Sequence, residues 1–247
     1  MIKIFPTVEE LNEYAADKFV EIANDSITNR GKFSVALSGG STPKALNRLL
    51  ADDKFNHKID WQNIFFFFGD ERNVAPNDEE SNFRMAKETL FEPLNIREDK
   101  IFRWQTELKD AKVVAENYRL KLRNFFELTE ENLPRFDLIL LGMGDDGHAA
   151  SLFPNTEALK ETEKTAVSNH VEKLGTSRLT MTFPVINNAR NVMFLVKGAD
   201  KSETLVNVLE GDFQPRKFPS QAVKLTDGNL FWLVDSEAAR LLGSETK

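Results

Sequence analysis

The segment 142–148, Gly-Met-Gly-Asp-Asp-Gly-His, holds the side chains of this chain that are best suited to acid–base chemistry. It places Asp146 and His148 two residues apart, directly after the apolar run 138–141. Histidine has an unperturbed pKa of about 6.5, which suits proton transfer near neutral pH. With three histidines and no cysteine, the chain has few other groups that can activate a nucleophile. The segment predicts a base at the end of a buried strand, although a glycine turn with a hydrogen-bonded histidine would also explain it.

The segment Ser38-Gly-Gly-Ser-Thr42 has the residue types of a phosphate-binding loop. Gly39 and Gly40 free the backbone so that its amides can point at an anion, and a following helix would add its positive end. Ser38, Ser41 and Thr42 supply hydroxyl donors. The spacing matches neither the nucleotide P-loop nor GxGxxG. A plain glycine turn between a strand and a helix remains the alternative interpretation.

Charged residues follow another apolar run, in the segment Gly69-Asp-Glu-Arg-Asn73. Arg72 is suited to binding a carboxylate or phosphate, or to stabilising an oxyanion, whereas a local ion pair with Asp70 or Glu71 is the alternative. Arg178 and Lys201 taken singly are typical of exposed surface charges. They become candidates because an acidic chain of net charge −7 needs local cations to bind an anion.

The composition also excludes several classes of function. A net charge of −7 and an isoelectric point near 5.2 argue against general binding of nucleic acid or of an anionic membrane. His57 and His170 lie in polar segments, and no two histidines have zinc-ligand spacing, so neither a metal nor another cofactor is expected. The N-terminal segment does not resemble a secretory signal, and no apolar run reaches the roughly 20 residues of a membrane span. We therefore expect a cytoplasmic protein, and the sequence leaves its oligomeric state open.

Short apolar runs alternate with longer segments of helical periodicity along the chain. The runs predict strands at 2–5, 33–37, 64–68, 138–141, 192–196 and 230–234. Runs that are apolar throughout indicate strands covered on both faces, as in a parallel sheet. We predict a single α/β domain over residues 1–247, with a doubly wound, Rossmann-like, mostly parallel sheet and helices on both faces. Residues 155–178 are polar and are expected to make a small excursion from that sheet.

Helices are predicted between these strands. One starts after Thr7, which with Glu10 forms a capping-box pattern, and another starts at Pro43 with Thr42 as its cap. Further helical segments are predicted at 82–91, 114–126, 201–209 and 236–242. The candidate motifs then follow the strands that end at residues 37, 68, 141 and 196. Open parallel sheets bind ligands at the carboxyl ends of their strands, so the motifs are expected to form one site.

Several of these segments together resemble the 6-phosphogluconolactonase family, which is related to the glucosamine-6-phosphate deaminases. The segments that carry the resemblance are 38–43, 69–72 with 81–84, 142–148 with 151–154, and 219–222. The resemblance implies hydrolysis of 6-phospho-D-glucono-1,5-lactone in the oxidative pentose phosphate pathway, without a cofactor. It implies that His148 is the general base, that Asp146 lies beside it and that Arg72 is in the active site. It also implies that loop 38–42, Arg178 and Lys201 hold the sugar phosphate.

The chain departs from this family at two positions and leaves two alternatives open. Asp145 stands where the lactonases usually have proline, and Ala149 where threonine is common. Arg72 stands where the deaminases typically have tyrosine, which favours the lactonase. In the deaminase alternative, Asp70 is the base that transfers a proton on an amino-sugar phosphate. The other alternative is a sugar-phosphate sensor without catalysis, which would leave Asp146 and His148 without a task.

Overall fold

A computed structural model describes residues 1–129 and 132–246 of the chain. Within these residues ten strands form two sheets. The strands are β1 (Ile2–Phe5), β2 (Phe33–Leu37), β3 (Ile64–Phe68), β4 (Asp70–Arg72), β5 (Ile101–Phe102), β6 (Leu138–Leu141), β7 (Ala166–Val171), β8 (Thr176–Met181), β9 (Asn191–Val196) and β10 (Asn229–Asp235). All six predicted strands are present, with bounds that differ by at most one residue. The sequence prediction did not include β4, β5 or β7.

The larger sheet has the order β1-β10-β9-β6-β2-β3-β5, and all of its neighbouring strands run parallel. From β2 the chain continues to β3 and β5 on one side, whereas from β6 it continues to β9 and β10 on the other. Crossovers between parallel strands are right-handed, so connections in opposite directions place their helices on opposite faces. The sheet is therefore doubly wound, as predicted. Its order reverses between the neighbours β2 and β6, which is where such sheets bind ligands.

Six α-helices connect these strands in the described part of the chain. They are α1 (Val8–Arg30), α2 (Ser41–Ala51), α3 (Asn82–Ala86), α4 (Ala111–Phe125), α5 (Phe183–Asn187) and α6 (Ser202–Leu209). The predicted cap of α1 is confirmed, since the Thr7 side chain accepts a hydrogen bond from the Glu10 backbone N–H. A π-helical turn over Lys87–Phe91 continues α3 to the end of the predicted segment 82–91.

Two predictions about helices were wrong, one about where α2 begins and one about whether segment 236–242 is helical. Helix α2 begins at Ser41 with Gly40 as its N-cap, so Thr42 is not the cap and Pro43 is the third residue of the helix. Proline is tolerated there because backbone N–H groups of the first turn have no partner within the helix. The segment 236–242 forms turns instead of a helix. Its N–H groups bond in tight turns instead, because the Ala238 N–H donates to Asp235 Oδ1 at 2.8 Å and the Leu242 N–H donates to the Ala239 carbonyl at 3.1 Å. Leu242 is nevertheless buried.

The predicted excursion forms a second, smaller sheet. Residues 155–178 contain a 3₁₀ turn over Glu157–Lys160 and most of the antiparallel hairpin of β7 and β8. Strand β8 also pairs antiparallel with β4, and this pairing sets Arg72 directly opposite Arg178. The excursion thus brings a distant part of the chain to the carboxyl end of β3.

Aromatic side chains hold the carboxyl end of β3 in place. The Tyr118 hydroxyl donates to the Phe68 carbonyl and accepts from the Phe68 N–H, both at 3.0 Å. The Trp104 indole N–H donates to the same carbonyl at 3.1 Å and stacks on Tyr118 with 3.8 Å between ring centroids. All three side chains are buried. These bonds satisfy the strand's last backbone groups and position the charged segment that follows it.

The described residues contain no helix that is both long enough and apolar enough to cross a membrane.

Candidate active site

Segments that follow β2, β3 and β6 line one cleft of about 150 Å³. It lies where the strand order reverses, because β2 and β6 are neighbours in the sheet. The residues that line it are Ser38, Gly39, Asp70, Arg72, Gly142, Met143, Gly144, His148 and Ala150. The structure therefore brings together three of the four motifs that the sequence placed at strand ends, and the motif around Lys201 does not line the cleft.

Asp146 and His148 form a hydrogen-bonded pair at this cleft. The Asp146 Oδ1 and His148 Nδ1 atoms lie 2.6 Å apart, and Oδ1 also accepts the His148 backbone N–H at 3.2 Å. Partial burial acts to raise the pKa of Asp146, but hydrogen bonds from His148 and Lys173 and the charge of His148 lower it well below its usual range. An ionised carboxylate only accepts hydrogen bonds, so Nδ1 carries a proton. Nε2 of His148 is then the nitrogen that can accept one.

The backbone around this pair leaves room for the imidazole and little else. The Gly144 N–H donates to the His148 carbonyl at 2.9 Å, which closes the turn. A Cβ on Gly144 would lie 2.1 Å from His148 Nδ1, so a side chain at this position would displace the ring. The ring also stacks on Phe153, with 4.0 Å between centroids. Packing and the bond to Asp146 together define the orientation of the base.

Two neighbouring elements support the same turn. The Ser220 N–H, in a 3₁₀ turn over Pro219–Ala222, donates to the Gly147 carbonyl at 2.8 Å. Gly147 has a φ of +79°, which favours glycine, and a Cβ there would lie 3.1 Å from the Phe218 ring. From α6, the Thr204 hydroxyl donates to the Asp145 carbonyl at 2.6 Å. The segment 219–222, which belongs to the resemblance, thus acts on the site by holding its turn.

Asp70 is buried and connects several parts of the cleft through hydrogen bonds. Its Oδ2 accepts a hydrogen bond from the Ser151 hydroxyl at 2.6 Å, and its backbone carbonyl accepts one from Asn82 Nδ2 at 3.0 Å. Asn82 also packs so closely on Gly39 that a Cβ there would lie 1.9 Å from Asn82 Oδ1. Asn82 therefore joins the glycine loop after β2 to the charged segment after β3.

Glu71 has a structural role beside the cleft. Its carboxylate accepts the backbone N–H groups of Arg72, Asn82 and Phe83 at 2.8, 2.8 and 2.9 Å, which ties the start of α3 to β4. Burial raises the pKa of Glu71 to about 7, although these backbone hydrogen bonds act to lower it. Glu71 is 2% exposed and does not line the cleft.

Arg72 and Arg178 form a pair of cations across the β4–β8 ladder. Directly opposed residues project to the same face of a sheet, so the two side chains are neighbours. Burial lowers the pKa of Arg178, and the charge of Arg72 lowers it further. Arg72 Nη1 donates to the Glu80 carbonyl, and Arg72 makes no ion pair with Asp70 or Glu71. The local ion pair is thus ruled out, and an anion beside both guanidinium groups would relieve their repulsion.

A second cavity, of about 490 Å³, adjoins the cleft at Arg72. Gly40 and Ser41, at the start of α2, line this cavity together with the cations Lys44 and Arg84. The 11-residue helix α2 points its positive end at this region. The predicted loop 38–42 is therefore divided, because Ser38 and Gly39 line the cleft and the next two residues line the adjoining cavity.

Three predicted binding residues, Thr42, Arg178 and Lys201, line neither cavity. Thr42 is buried in the first turn of α2. Lys201 lies in a 3₁₀ turn that precedes α6, and its Nζ is 3.0 Å from Asp200 Oδ2. Since α6 contacts the turn at Asp145, Lys201 lies near the site without lining the cleft. Arg178 reaches the cleft only through its pairing with Arg72.

Sequence reasoning did not select several residues that the structure places at the site. Asn82, Ser151 and Phe153 lie within segments of the resemblance, so those segments were the signal that pointed to them. Lys44 follows the glycine loop and could have been suspected from the predicted helix start. Lys173 contacts Asp146 Oδ2 at 3.3 Å, and no sequence pattern marks it.

Comparison with known proteins decides the family. A model of the family described as glucosamine-6-phosphate isomerases/6-phosphogluconolactonase matches residues 6–232. The chain belongs to this family. The matched range contains every segment that lines the cleft.

Relatives and solved structures agree with this assignment. A 6-phosphogluconolactonase from Synechocystis is 40% identical over 217 residues, which cover 88% of this chain and 88% of the relative. The solved structure of 6-phosphogluconolactonase from Trypanosoma brucei is 32% identical, with a TM-score of 0.88 and 98% of each chain covered. A monomeric glucosamine-6-phosphate deaminase is 22% identical, with a TM-score of 0.78 over 97% of this chain and 99% of that one, and so shares the fold.

Proposed function

We propose that this protein hydrolyses 6-phospho-D-glucono-1,5-lactone to 6-phospho-D-gluconate, a step of the oxidative pentose phosphate pathway. The observation that carries this proposal is the Asp146–His148 pair in a cleft that also contains Arg72 and the glycine loop after β2. The family and the relatives named as 6-phosphogluconolactonases support the same reaction. Its substrate is a sugar phosphate, which the neighbouring cations suit.

In the proposed mechanism, Nε2 of His148 takes a proton from water while the resulting hydroxide attacks the lactone carbonyl carbon. The charge on the carbonyl oxygen is stabilised by Arg72 or by a backbone amide of the cleft. The imidazolium then gives its proton to the ring oxygen as the bond between carbonyl carbon and ring oxygen breaks. Asp146 keeps the ring oriented and stabilises its charged form. Base catalysis of this kind contributes about 10²–10⁴-fold.

The phosphate of the substrate is proposed to bind at the positive region next to the cleft. The amides of loop 38–42 and the start of α2 offer donors, and Arg178 with Arg72 adds charge. Lys201, in the turn before α6, remains part of the proposed phosphate site from the family pattern. Binding energy from this remote group would hold the lactone against His148.

The deaminase alternative would need Asp70 as a proton-transfer base. In the structure Asp70 accepts a hydrogen bond from Ser151 at 2.6 Å and is bridged to the glycine loop by Asn82. Both contacts join Asp70 to neighbouring segments of the site. This arrangement fits a structural role for Asp70 better than repeated protonation during turnover.

Replacing the base tests the proposed mechanism. His148→Ala should lower kcat for the lactone by at least about 100-fold and leave binding of 6-phosphogluconate intact. His57→Ala is the matched control, because His57 is exposed on a 3₁₀ turn away from the cleft. Equal turnover in the His148 variant and the control would remove His148 from the role of base.

We also propose that the protein forms one domain and acts in the cytoplasm, without nucleic acid or membrane as partner. The acidic composition supports this proposal. Fractionation of cells of the source organism, with detection of the chain in each fraction, tests the location.

A further inference from the structure

Lys173 lies at the tip of the hairpin that joins β7 to β8. It occupies a 3₁₀ turn over Glu172–Leu174, which Gly175 ends in the left-handed conformation with a φ of +60°. The same hairpin carries Arg178 to Arg72 through the β4–β8 pairing. The small sheet thus places one cation, Arg178, opposite Arg72 and another, Lys173, beside Asp146.

The tip of this hairpin contacts the turn that holds Asp145, Asp146 and His148 through charged groups. Lys173 Nζ lies 3.3 Å from Asp146 Oδ2 and 4.0 Å from Asp145 Oδ1. The two oxygens of Asp146 are therefore divided, with Oδ1 on His148 and Oδ2 on Lys173. Asp145 adds a second carboxylate to the same turn, so Lys173 faces two negative charges there.

We propose that Lys173 is a positioning residue for His148: it fixes the outer oxygen of Asp146 and offsets part of its charge, which keeps the imidazole neutral and ready to accept a proton. Its catalytic part rests on the proposed function, in which His148 is the base. The physical reason is that His148 and Lys173 interact with the same carboxylate, that of Asp146. An unbalanced Asp146 would stabilise the imidazolium and hold the proton on His148 to higher pH.

Substitution of Lys173 does not change the identity of the other groups near His148. Arg72 and Asp70 share the cleft with His148, Phe153 stacks on its ring, and Asp145 precedes Asp146 on the same turn. A comparison of Lys173 variants with the unchanged protein therefore isolates the lysine charge.

The test measures the titration of the histidines by NMR and the pH profile of kcat/KM in the same variants. Lys173→Met should move the His148 titration midpoint upward by about half a pH unit, the size expected for a partly exposed ion pair. The acidic limb of the kcat/KM profile should move by the same amount. Lys173→Arg should restore both. His57 and His170 serve as internal references in the NMR titration.

Lys54→Met is the matched control. Lys54 is 51% exposed and Lys173 is 61% exposed, both pair with carboxylates, and both substitutions change the net charge equally. Lys54 follows the far end of α2, which is about 16 Å long and starts at the cavity next to the cleft. Its substitution should move neither readout.

The two readouts separate the possible failures. A His148 midpoint in Lys173→Met that equals that of the unchanged protein, or that moves as much in Lys54→Met, overturns the role of Lys173. A midpoint that moves while the kinetic limb stays in place supports the Lys173 contact and overturns His148 as the base of the proposed function.

Discussion

Gly144→Ala should remove catalysis while the fold stays intact. The new Cβ would lie 2.1 Å from His148 Nδ1 and 2.2 Å from its Cε1. Ordinary contacts between such atoms are about 3.5–4.0 Å, so the ring must move by more than about 1 Å. The turn itself cannot easily move, because Gly144 is hydrogen-bonded to His148 and Gly147 through the backbone. The imidazole must therefore rotate, which breaks its 2.6 Å contact with Asp146.

The expected loss follows from that displacement. A misplacement of about 1 Å can cost about 10²-fold in rate, and loss of the base costs about 10²–10⁴-fold. We expect kcat to fall at least about 100-fold. Loss of one partly exposed hydrogen bond costs about 1 kcal/mol, which corresponds to a fall in Tm of roughly 2–4 °C for a chain of this size. Function should thus fall far more than stability.

The assay follows the hydrolysis of freshly generated lactone near pH 7, with the spontaneous rate subtracted, and a thermal melt of each variant. Gly69→Ala is the control, because a Cβ there meets only the Leu37 carbonyl at 3.7 Å and φ is not positive. It should retain activity within a few-fold. The reasoning is refuted if Gly144→Ala keeps more than a third of the activity, or if Gly69→Ala loses as much.

Three further predictions concern charge. Arg178→Leu should raise KM about 10-fold or more, because it removes one of two facing cations; an unchanged KM would place the phosphate elsewhere. Lys201→Ala should also raise KM more than it lowers kcat, and equal loss of both would oppose a purely binding role. Glu71→Gln should flatten the fall in the free energy of unfolding between about pH 4.5 and 7. Burial raises the pKa of Glu71 to about 7, above its unfolded value, so its stabilising contribution is complete at low pH and is lost as pH rises through about 7. The shift corresponds to roughly 3 kcal/mol, measured by denaturant unfolding at each pH; parallel curves for variant and unchanged protein would contradict it.

The sequence predicted the parallel strands and the motifs at their ends because each feature is local. The run Leu138–Leu141 is apolar at every position, which is typical of a strand covered on both faces. Order reversal at β2 and β6 then brings Ser38 and His148 to one crevice without any further information. The glycines at 39 and 144 were noted for backbone freedom, whereas the structure shows that they make room for Asn82 and His148.

Features that depend on contacts distant in sequence were not predictable. Strand β4 has three residues, all charged, and forms only because β8 pairs with it. The contact of Lys173 with Asp146 depends on the length and register of the hairpin, which a polar segment does not reveal. Thr42 was assigned as a cap because the pattern before Pro43 allowed it, but the helix starts two residues earlier than Pro43.

The most direct measurement supplies the purified protein with fresh 6-phosphogluconolactone and, in parallel, with glucosamine 6-phosphate. We predict 6-phosphogluconate formation well above the spontaneous rate and no release of ammonia. Release of ammonia from the amino sugar, or binding of both compounds without turnover of either, would contradict the assignment of this cleft to lactone hydrolysis.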